Sequence, residues 1–561
     1  MTAYRPENPL IVQGDHTVLV EVDNPRYPEA RDRLARFAEL VKSPEHIHTY
    51  RVTPLSVWNA CSAGVAADDI TATLSDLSKY PVPGHVETSV RDLASRYGRL
   101  TLCREGDGLV LRAPDEPLAE EVSRQRRVAP LLAERLSATS FRVAPDLRGR
   151  LKQELVKVGY PAEDLAGYTP GEPLAIGLRP VTRAGAEFGL REYQQDAAAA
   201  FHAAGTARGG SGVVVLPCGA GKTIVGMAAM ARVGASTLIL TTSVTSVRQW
   251  IRELLDKTSL HEDQVGEYSG GSKEVRPVTV ATYQILTHRT GKEADFTHLK
   301  LFDERDWGLI VYDEVHLLPA PVFQVTAGLQ ARRRLGLTAT LVREDGHEDD
   351  VFALIGPKKA DVPWKVLEGQ GWIATATCTE VRVPLSGELR MRYALAEQRD
   401  KFRVASENPA KADVVRAILN RHAGEPALVI GMYLDQLKEI ARDLDVPILT
   451  GSTGQAKRDR IYEDFRDGKI PVLAVSKVAN FAVDLPDASL AIQVSGTFGS
   501  RQEEAQRLGR ILRPKADGNQ AHFYSLVSRD TVEQEFAMNR QLFLCEQGYE
   551  YHIADADEVL R

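Results

Sequence analysis

Short apolar runs rich in valine, isoleucine and leucine alternate with amphipathic stretches through the second two thirds of the chain. Such runs, bounded by polar or glycine-containing turns, are typical of strands buried on both faces of a parallel sheet. A first series predicts strands at 211–217, 236–242, 278–283, 307–314 and 333–340. A second series predicts strands at 426–433, 446–452, 470–476, 490–496 and 521–527. The pattern therefore predicts an α/β protein with two tandem parallel-sheet domains, at 186–360 and 361–535, and a C-terminal segment at 536–561.

The first third of the chain has a different pattern. Segment 19–41 predicts a strand, a proline-marked turn and an amphipathic helix, and further helices are expected after Thr53 and near Asp68. We expect residues 1–115 to form an N-terminal α/β module. Residues 116–185 form a second region, which ends in a loop rich in glycine and proline that is typical of a domain boundary.

Composition and charge limit the classes of function. The hydrophobic fraction of 43% and charged fraction of 26% exclude wholesale disorder. The net charge of −7 argues against a simple histone-like polyanion binder, although nine basic residues face four acidic ones within 121–160. That stretch fits either a solvated helical face or a phosphate-binding surface. No apolar run reaches membrane-spanning length, and the five scattered cysteines contain no C-x-x-C pair. We therefore expect a cytoplasmic protein without a membrane partner.

The strongest chemical signal is the segment LPCGAGKT, which lies between a predicted strand and a predicted helix. Gly219 and Gly221 allow successive backbone N–H groups to point inward at a phosphate, and the helix N-terminus adds partial positive charge. Lys222 is expected to reach the β- and γ-phosphates, and the Thr223 hydroxyl to bind Mg²⁺. The strict G-x-x-x-x-G-K-T pattern fails, because Leu216 occupies its first glycine position.

A second motif, LIVYDEVH, supplies the carboxylates that a nucleotide–metal site also needs. Asp313 and Glu314 end a predicted buried strand. Asp313 is expected to hold Mg²⁺, directly or through water, and Glu314 to polarise the attacking water. The two motifs together predict hydrolysis of ATP with Mg²⁺ as cofactor.

An arginine-rich helical segment favours a motor protein over the other enzymes that use a phosphate loop, such as small-molecule kinases and GTPases. The second α/β domain contains SGTFGSRQEEAQRLGRILRP, in which Gln506, Arg507, Arg510 and Arg513 recur at helical spacings. An arginine that reaches the γ-phosphate from a second domain acts only when the cleft closes, which ties hydrolysis to domain motion. A salt-bridged surface helix is the alternative interpretation.

Taken together, these motifs resemble superfamily 2 helicases, and specifically the XPB family, whose two motor domains are RecA-like. LREYQQDA resembles the adenine-reading motif, which implies that Gln194 contacts adenine, with Arg191 in the same motif. LPCGAGKT matches the family's form of the phosphate loop, which adds Cys218 and Ala220 to the nucleotide site. DEVH matches the DExH box and includes His316.

Further motifs extend the resemblance to the coupling of hydrolysis with DNA movement. LTAT, with Thr338 and Thr340, matches the coupling motif. SKVANFAVDLPDA, with Ser476 and Lys477, and QRLGRILR match late motifs of the second lobe. LVREDG matches the R-E-D element that XPB-like proteins use in DNA opening, and that element consists of Arg343, Glu344 and Asp345. The N-terminal segment also resembles the XPB N-terminal module.

The resemblance implies an ATP-dependent 3′→5′ DNA helicase or translocase of nucleotide excision repair. Its partners would be single-stranded, forked or duplex DNA bound without sequence preference, and a separate nuclease. We expect a monomer associated with the nucleoid. Residues 116–185 would form a damage-recognition-like region, and about 389–411 a thumb-like insertion or an ordinary amphipathic helix. Thr282 and Arg248 are candidate DNA-backbone contacts or simple loop caps.

Two other functions fit the same residues. The protein could be an ATP-gated DNA-binding switch that recruits a nuclease, since no residue separates switching from processive unwinding. It could also be an RNA helicase, which shares the core motifs, although the R-E-D element and the N-terminal segment argue against that interpretation.

Overall fold

The structure, a computed structural model, describes most of the chain, and the statements below refer to that part. It covers residues 4–44, 46–106, 108–217, 219–288, 297–330, 332–339, 348–362, 367, 376–476, 488–495, 521–546 and 549–561. The strands within these ranges form sheets of four, five, seven and seven strands. None of the helices in these ranges has both the length and the apolar composition that crossing a bilayer demands.

The N-terminal module is a four-stranded antiparallel sheet with helices. Its elements are β1 (Leu10–Val12), β2 (Thr17–Glu21), α1 (Tyr27–Leu34), β3 (Glu39–Lys42), β4 (Ile47–Arg51), α2 (Pro54–Ser62), α3 (Ala67–Leu77) and α4 (Gly84–Arg96). The strands pair in the order β1-β2-β4-β3. The helix expected after Thr53 begins where it should, because the Thr53 hydroxyl accepts from Ser56 N at 3.1 Å and the Ser56 hydroxyl accepts from Thr53 N at 2.9 Å.

A second α/β module follows, built on a five-stranded mixed sheet. Its elements are β5 (Leu100–Glu105), β6 (Gly108–Arg112), α5 (Glu116–Ser123), β7 (Glu134–Ser137), β8 (Ser140–Val143), α6 (Arg148–Lys157) and β9 (Ala162–Asp164). The strand order is β7-β8-β6-β5-β9, and β6 pairs with both β5 and β8. The sheet therefore begins at Leu100, and the expected boundary at 115/116 lies inside it.

Many of the basic residues of this second module are engaged in ion pairs. Within the basic stretch 121–160, the six that pair with carboxylates are Arg124, Arg135, Arg142, Arg148, Lys152 and Lys157. Arg148 and Lys152 are buried and share Asp164, at 2.7 Å and 2.9 Å. Burial lowers the pKa of Lys152 to about 8, against the opposing effect of the Asp164 charge. These buried pairs serve the core of the module and do not form a phosphate-binding surface.

The first parallel-sheet domain, here called lobe 1, has seven strands. Its elements are α7 (Glu192–His202), β10 (Ser211–Val215), α8 (Lys222–Val233), β11 (Thr237–Thr241), α9 (Val244–Lys257), β12 (Val265–Tyr268), β13 (Val278–Thr282), α10 (Tyr283–Leu286), β14 (Leu309–Asp313), α11 (Ala320–Gly328), β15 (Arg333–Thr338), α12 (Glu348–Leu354) and β16 (Lys358–Asp361). The order is β12-β13-β11-β14-β15-β10-β16, with every pairing parallel. All five strands of the first predicted series are confirmed.

The second parallel-sheet domain, lobe 2, repeats this architecture. Its elements are β17 (Ala376–Val383), α13 (Gly387–Leu395), α14 (Gln398–Ser406), α15 (Ala410–Arg421), β18 (Ala427–Gly431), α16 (Leu434–Asp443), β19 (Ile448–Leu449), α17 (Gln455–Arg466), β20 (Val472–Ser476), β21 (Leu490–Gln493), β22 (Ala521–Ser528), α18 (Val532–Glu546), β23 (Glu550–Asp555) and α19 (Ala556–Leu560). The order is β19-β20-β18-β21-β22-β17-β23, again parallel throughout. The α/β fold with two tandem RecA-like sheets is confirmed.

Two segments of lobe 2 bear on the expected domain division. The expected boundary at 535/536 falls within α18, and β23 beyond it pairs with β17, so the C-terminal segment belongs to the lobe 2 sheet. The segment 389–411, expected to be a thumb-like insertion or an ordinary amphipathic helix, is helical and spans most of α13, all of α14 and the start of α15. This helical pair docks on α18, where the Tyr393 hydroxyl accepts from Val532 N at 2.9 Å.

Candidate active site

A glycine turn between β10 and α8 forms the floor of the candidate site. Gly219 and Gly221 have φ angles of +82° and +80°, a region that favours glycine over residues with a Cβ atom. A Cβ atom added at Gly221 would lie 2.6 Å from Nε2 of Gln194. The turn therefore needs glycine both for its backbone conformation and for its packing. Leu216, at the position where the strict motif has glycine, is fully buried beneath the turn.

Lys222 and Glu314 form an ion pair at the centre of the site. Nζ of Lys222 lies 2.8 Å from Oε1 of Glu314, and each side chain is 13% exposed. Burial alone would raise the pKa of Glu314, but the charges of Lys222 and His316 outweigh it and hold this pKa below the usual value. Glu314 also has a φ of +52°. Such strain in a residue with a side chain is typical of functional positions.

Asp313, the last residue of β14, is held from two sides. Its carboxylate accepts a hydrogen bond from the indole N–H of Trp250 at 2.8 Å. Its backbone carbonyl accepts one from the Tyr283 hydroxyl at 2.9 Å. Burial and the neighbouring charge of Glu314 raise the pKa of Asp313. A nearby cation would stabilise the charged form of this buried carboxylate, which suits Asp313 to bind Mg²⁺.

Trp250 is the functional candidate that the sequence did not reveal. It is buried, and its spacing of three residues from Val247 and four from Leu254 indicates only a core position on α9. A Cβ atom added at Gly226 would lie 2.6 Å from the Trp250 ring, so the indole packs directly against α8. Trp250 thus bridges the helix that follows the glycine turn and the carboxylate at the end of β14.

His316 and Thr338 continue the network across the ends of the strands. Nδ1 of His316 lies 2.7 Å from the Thr338 hydroxyl, within hydrogen-bonding distance, and 3.7 Å from Oε2 of Glu314. The backbone carbonyl of Thr338 accepts from Leu216 N at 2.9 Å. The structure therefore connects the glycine turn, the acidic pair and the end of β15 through consecutive short contacts.

Gln194, the predicted adenine contact, touches the glycine turn. Its amide N–H donates to the Ala220 carbonyl at 3.0 Å, and its carbonyl accepts from Arg191 N at 3.0 Å. The Tyr193 hydroxyl donates to the same Ala220 carbonyl at 2.8 Å, and Arg191 donates to that hydroxyl at 3.1 Å. Gln194 and Tyr193 together brace the turn, a role that the sequence did not predict. Contact with adenine stays a prediction.

The candidate DNA contacts lie in different surroundings. Thr282 is buried, and its hydroxyl accepts from Ile285 N at 3.3 Å, which makes it the cap of α10. Arg248 is 71% exposed and lies 3.8 Å from Glu267, so it is the more accessible of the two. Ser476 ends β20 and is buried. Thr223 lies in the first turn of α8 and is half-buried.

Several predicted site residues lie outside the described part of the chain, so their placement stays a prediction. These are Cys218, Thr340, Arg343, Glu344, Asp345, Lys477, Gln506, Arg510 and Arg513.

The geometry makes Trp250→Phe an informative substitution. Phenylalanine keeps an aromatic ring in the packing but removes the hydrogen bond to Asp313, and a hydrogen bond to a charged group contributes about 1.5–3 kcal/mol. We expect ATP turnover to fall about tenfold or more, with a higher Mg²⁺ concentration needed for half-maximal rate. The matched control is Trp307→Phe, since the Trp307 indole is equally buried but donates to the Leu301 carbonyl at 2.9 Å. Equal loss of turnover in both variants would contradict a specific role for Trp250.

Family models match three parts of the chain. The model "ERCC3/RAD25/XPB C-terminal helicase" matches residues 367–560. The model "Type III restriction enzyme, res subunit" matches residues 187–343, which contain the glycine turn and the acidic pair. A further model, "Helicase conserved C-terminal domain", matches residues 10–137 near the N-terminus. The two parallel-sheet lobes thus correspond to two separate matched regions.

Full-length relatives extend the similarity to the whole chain. The chain is 56% identical over 556 residues to "DNA 3'-5' helicase XPB" of Kineococcus radiotolerans, covering 99% of this chain and 97% of the relative. It is 55% identical over 555 residues to the protein of the same name in Mycobacterium tuberculosis, covering 99% of both. The chain is also 32% identical to a eukaryotic relative, "General transcription and DNA repair factor IIH helicase/translocase subunit XPB" of Enterocytozoon bieneusi. This match covers 97% of this chain and 92% of the relative.

Proposed function

We propose that this chain, which belongs to the XPB family of superfamily 2 DNA helicases, couples ATP hydrolysis to 3′→5′ movement along DNA and to opening of the duplex. The observation that carries the proposal is the 2.8 Å ion pair between Lys222 and Glu314, beside Asp313 at the carboxyl ends of parallel strands. Ligands of open α/β sheets bind at such an edge. The names of the bacterial relatives support DNA as the polymer on which the motor acts.

The ion pair suggests why the site does not hydrolyse ATP until the nucleotide is fully bound: Lys222 occupies Glu314 in the nucleotide-free state. The Lys222 ammonium neutralises the Glu314 carboxylate, which in that state has a lowered pKa and a hydrogen-bonded partner. Phosphate oxygens of ATP compete for the same ammonium, so that binding of the nucleotide draws Lys222 away from Glu314. Glu314 is then available to orient and polarise the attacking water. Hydrolysis thus depends on a bound triphosphate.

The remaining residues of lobe 1 have positioning roles in this proposal. Thr223 and Asp313 fit a Mg²⁺ ion that would neutralise charge on the phosphates, because they offer the oxygen ligands that this ion prefers. Trp250 holds the Asp313 carboxylate through its indole N–H at 2.8 Å. Gln194 and Tyr193 keep the glycine turn in its cradle shape through the Ala220 carbonyl.

The conformational change caused by hydrolysis must be transmitted to the DNA-binding residues, and His316 and Thr338 connect the two sites. Both side chains are buried and are 2.7 Å apart, and His316 also lies near Glu314. A change in the position or charge of the Glu314 carboxylate therefore alters the contacts of His316 with Thr338 at the end of β15. We propose that it passes on to Thr340 and to the R-E-D element formed by Arg343, Glu344 and Asp345, which act in DNA opening.

Lobe 2 supplies the groups that complete the site in our proposal. Arg510 and Arg513, with Gln506, act on the γ-phosphate when the lobes close. A buried anchor at the end of β21 supports this role. The Lys411 ammonium donates to the Val494 carbonyl at 2.9 Å and to both Glu533 oxygens at 2.9 and 3.0 Å. This anchor holds the start of the polypeptide that leads to the arginine segment.

The wider role follows from the same proposal. The motor acts as a monomer in the cytoplasm, at the nucleoid, in nucleotide excision repair with a separate nuclease. Support for repair comes from the eukaryotic relative, whose name includes a DNA repair factor. The second module serves DNA recognition, and the α13–α14 pair acts as the thumb. Arg248 and Lys477 contact the DNA backbone, whereas Thr282 and Ser476, which are buried, act in coupling.

Strand displacement tests the polarity and the polymer. We expect ATP-dependent release of the duplex strand from a substrate with a 3′ single-stranded overhang, and at most weak release from one with a 5′ overhang. An RNA duplex with the same sequence serves as the matched substrate. Faster displacement of RNA would favour an RNA helicase. ATP-dependent DNA binding without displacement of a duplex or triplex strand would favour a binding switch.

A further inference from the structure

Three side chains with metal-ligating atoms meet in lobe 2, where the strands β18 and β22 begin. His422 directly follows α15, Glu425 lies in the turn before β18, and His522 is the second residue of β22. The turn is closed by a hydrogen bond from Glu425 N to the His422 carbonyl at 3.1 Å. Both strands begin here, whereas the nucleotide site lies at the carboxyl ends of the lobe 1 strands. The cluster therefore shares no residue with the nucleotide site of lobe 1.

The geometry of the cluster fits a small cation. One ligand atom from each of the three side chains lies within 4.8 Å of the other two. Nδ1 of His422 and Oε1 of Glu425 are 3.0 Å apart. In a tetrahedral site with bonds of about 2.0–2.1 Å, neighbouring ligand atoms lie about 3.3 Å apart. The His422–Glu425 pair already has nearly that spacing. The His522 ring stands beside the His422 ring, with centroids 4.5 Å apart.

We propose that His422, Glu425 and His522 bind one Zn²⁺ ion per chain. Two imidazoles and one carboxylate form a ligand set that zinc accepts, and the intermediate burial of all three residues leaves room for water at a fourth position. The Glu425 carboxylate supplies the negative charge, and the imidazoles bind in their neutral form. Among the described residues, this is the group in which three histidine or carboxylate side chains lie close enough to bind one metal ion.

The surroundings of His422 resemble those of a metal ligand. Its second ring nitrogen, Nε2, lies 3.0 Å from the Tyr524 hydroxyl. Ligand histidines commonly use the other ring nitrogen in such a contact, which fixes the orientation of the ring. Arg421 lies near Tyr524, and its positive charge opposes that of the ion. Glu425 must therefore balance that charge, which makes it the most informative residue to change.

The ion would join the end of α15 and the turn before β18 to the middle of the lobe 2 sheet. Because binding to the folded state alone stabilises a protein, zinc should raise the unfolding temperature of the full-length chain. We expect a rise of about 3 °C or more at saturating Zn²⁺. ATP turnover should be the same with and without the ion, since none of the three residues belongs to the nucleotide site.

Equilibrium dialysis of the tag-free, full-length protein against Zn²⁺, with the visible absorption of Co²⁺ as a second probe, tests the proposal. We expect one Zn²⁺ per chain in the wild type. Binding should weaken at least about tenfold in Glu425→Gln and in His522→Asn. Glu425→Gln changes a half-buried turn residue and keeps its size. The unfolding temperature of this variant without zinc should match that of the wild type, which separates loss of a ligand from loss of the fold.

The matched control is His46→Asn, because His46 and Asp23 form a histidine–carboxylate pair of the same length, 3.0 Å, without a third ligand among the described residues. This variant should bind zinc as the wild type does. A wild type that binds no zinc would overturn the proposal and leave the cluster as a hydrogen-bonded turn. Equal zinc binding by all four proteins would also overturn it, because the ion would then occupy another site.

Discussion

Lys222→Ala is expected to lower DNA-stimulated ATP turnover at least about 100-fold, the scale of losing one preorganised group that stabilises charge in a transition state. The substitution removes the ammonium that lies 2.8 Å from Glu314 and that we assign to the phosphates. Nucleotide affinity should fall as well, because this lysine binds both the ground state and the transition state. Steady-state ATPase kinetics and binding of a fluorescent nucleotide measure the two effects separately.

Lys257→Ala is the matched control for this substitution. Lys257 lies in the same lobe, and its ammonium also pairs with a glutamate, Glu253, at 2.7 Å, but at the end of α9. We expect this variant to keep wild-type turnover. The unfolding temperature of both variants shows whether the fold survives, because removal of Lys222 leaves Glu314 with fewer charge partners. Full DNA-stimulated turnover in Lys222→Ala would refute the assignment of the phosphate loop.

Glu314→Gln is expected to reduce turnover by about 100-fold or more while ATP still binds, since general bases contribute about 10²- to 10⁴-fold. The amide cannot take up a proton from water. It also weakens the hold on Lys222, which the Glu314 carboxylate now neutralises. We therefore expect ATP to bind several-fold more tightly than in the wild type. Stopped-flow binding and single-turnover hydrolysis distinguish this pattern from the loss of affinity expected for Lys222→Ala.

Glu267→Gln provides the corresponding control. Glu267 is a half-buried glutamate of lobe 1 that lies 3.8 Å from Arg248 and at the edge strand β12. Its neutralisation should leave both turnover and ATP affinity unchanged. If Glu314→Gln instead weakened ATP binding and kept the rate of hydrolysis, Glu314 would be a structural partner of Lys222, and another group would polarise the water.

The central strands of both lobes could be predicted from the sequence because of where they lie. A strand such as β11 or β18 is buried on both faces, so its central residues, LIL in β11 and LVI in β18, form a continuous apolar run. The same logic placed Lys222 and the Asp313–Glu314 pair together, because carboxyl ends of parallel strands share one edge.

The strands that the sequence did not predict lie mainly at the margins of the sheets. β12, β16 and β23 are edge strands, and β17 pairs with the edge strand β23. An edge strand is partly exposed, so polar residues interrupt its apolar run; β16, for example, reads KKAD and is only partly buried. The expected boundary at 115/116 lies inside the five-stranded sheet, since the pairing of β6 with the distant β8 leaves no mark on the local sequence.

The supporting residues of the site were the hardest to predict. Trp250 has the spacing of an ordinary core residue, and only the three-dimensional packing brings its N–H to Asp313 at 2.8 Å. Gln194 belongs to a recognisable motif, yet its contacts with Ala220 and Arg191 depend on how α7 meets the glycine turn. Motifs therefore identify the groups that perform chemistry. The groups that hold them arise from tertiary contacts between distant segments.

The dependence of ATP turnover on DNA tests the central claim most directly. The claim is that hydrolysis at the Lys222–Glu314 site drives movement along DNA. The measurement is the ATPase rate of the full-length protein with no DNA and with single-stranded, duplex and forked DNA at the same salt concentration. We predict stimulation by at least one of these DNAs that disappears in Lys222→Ala. The same turnover with and without every DNA would contradict the account.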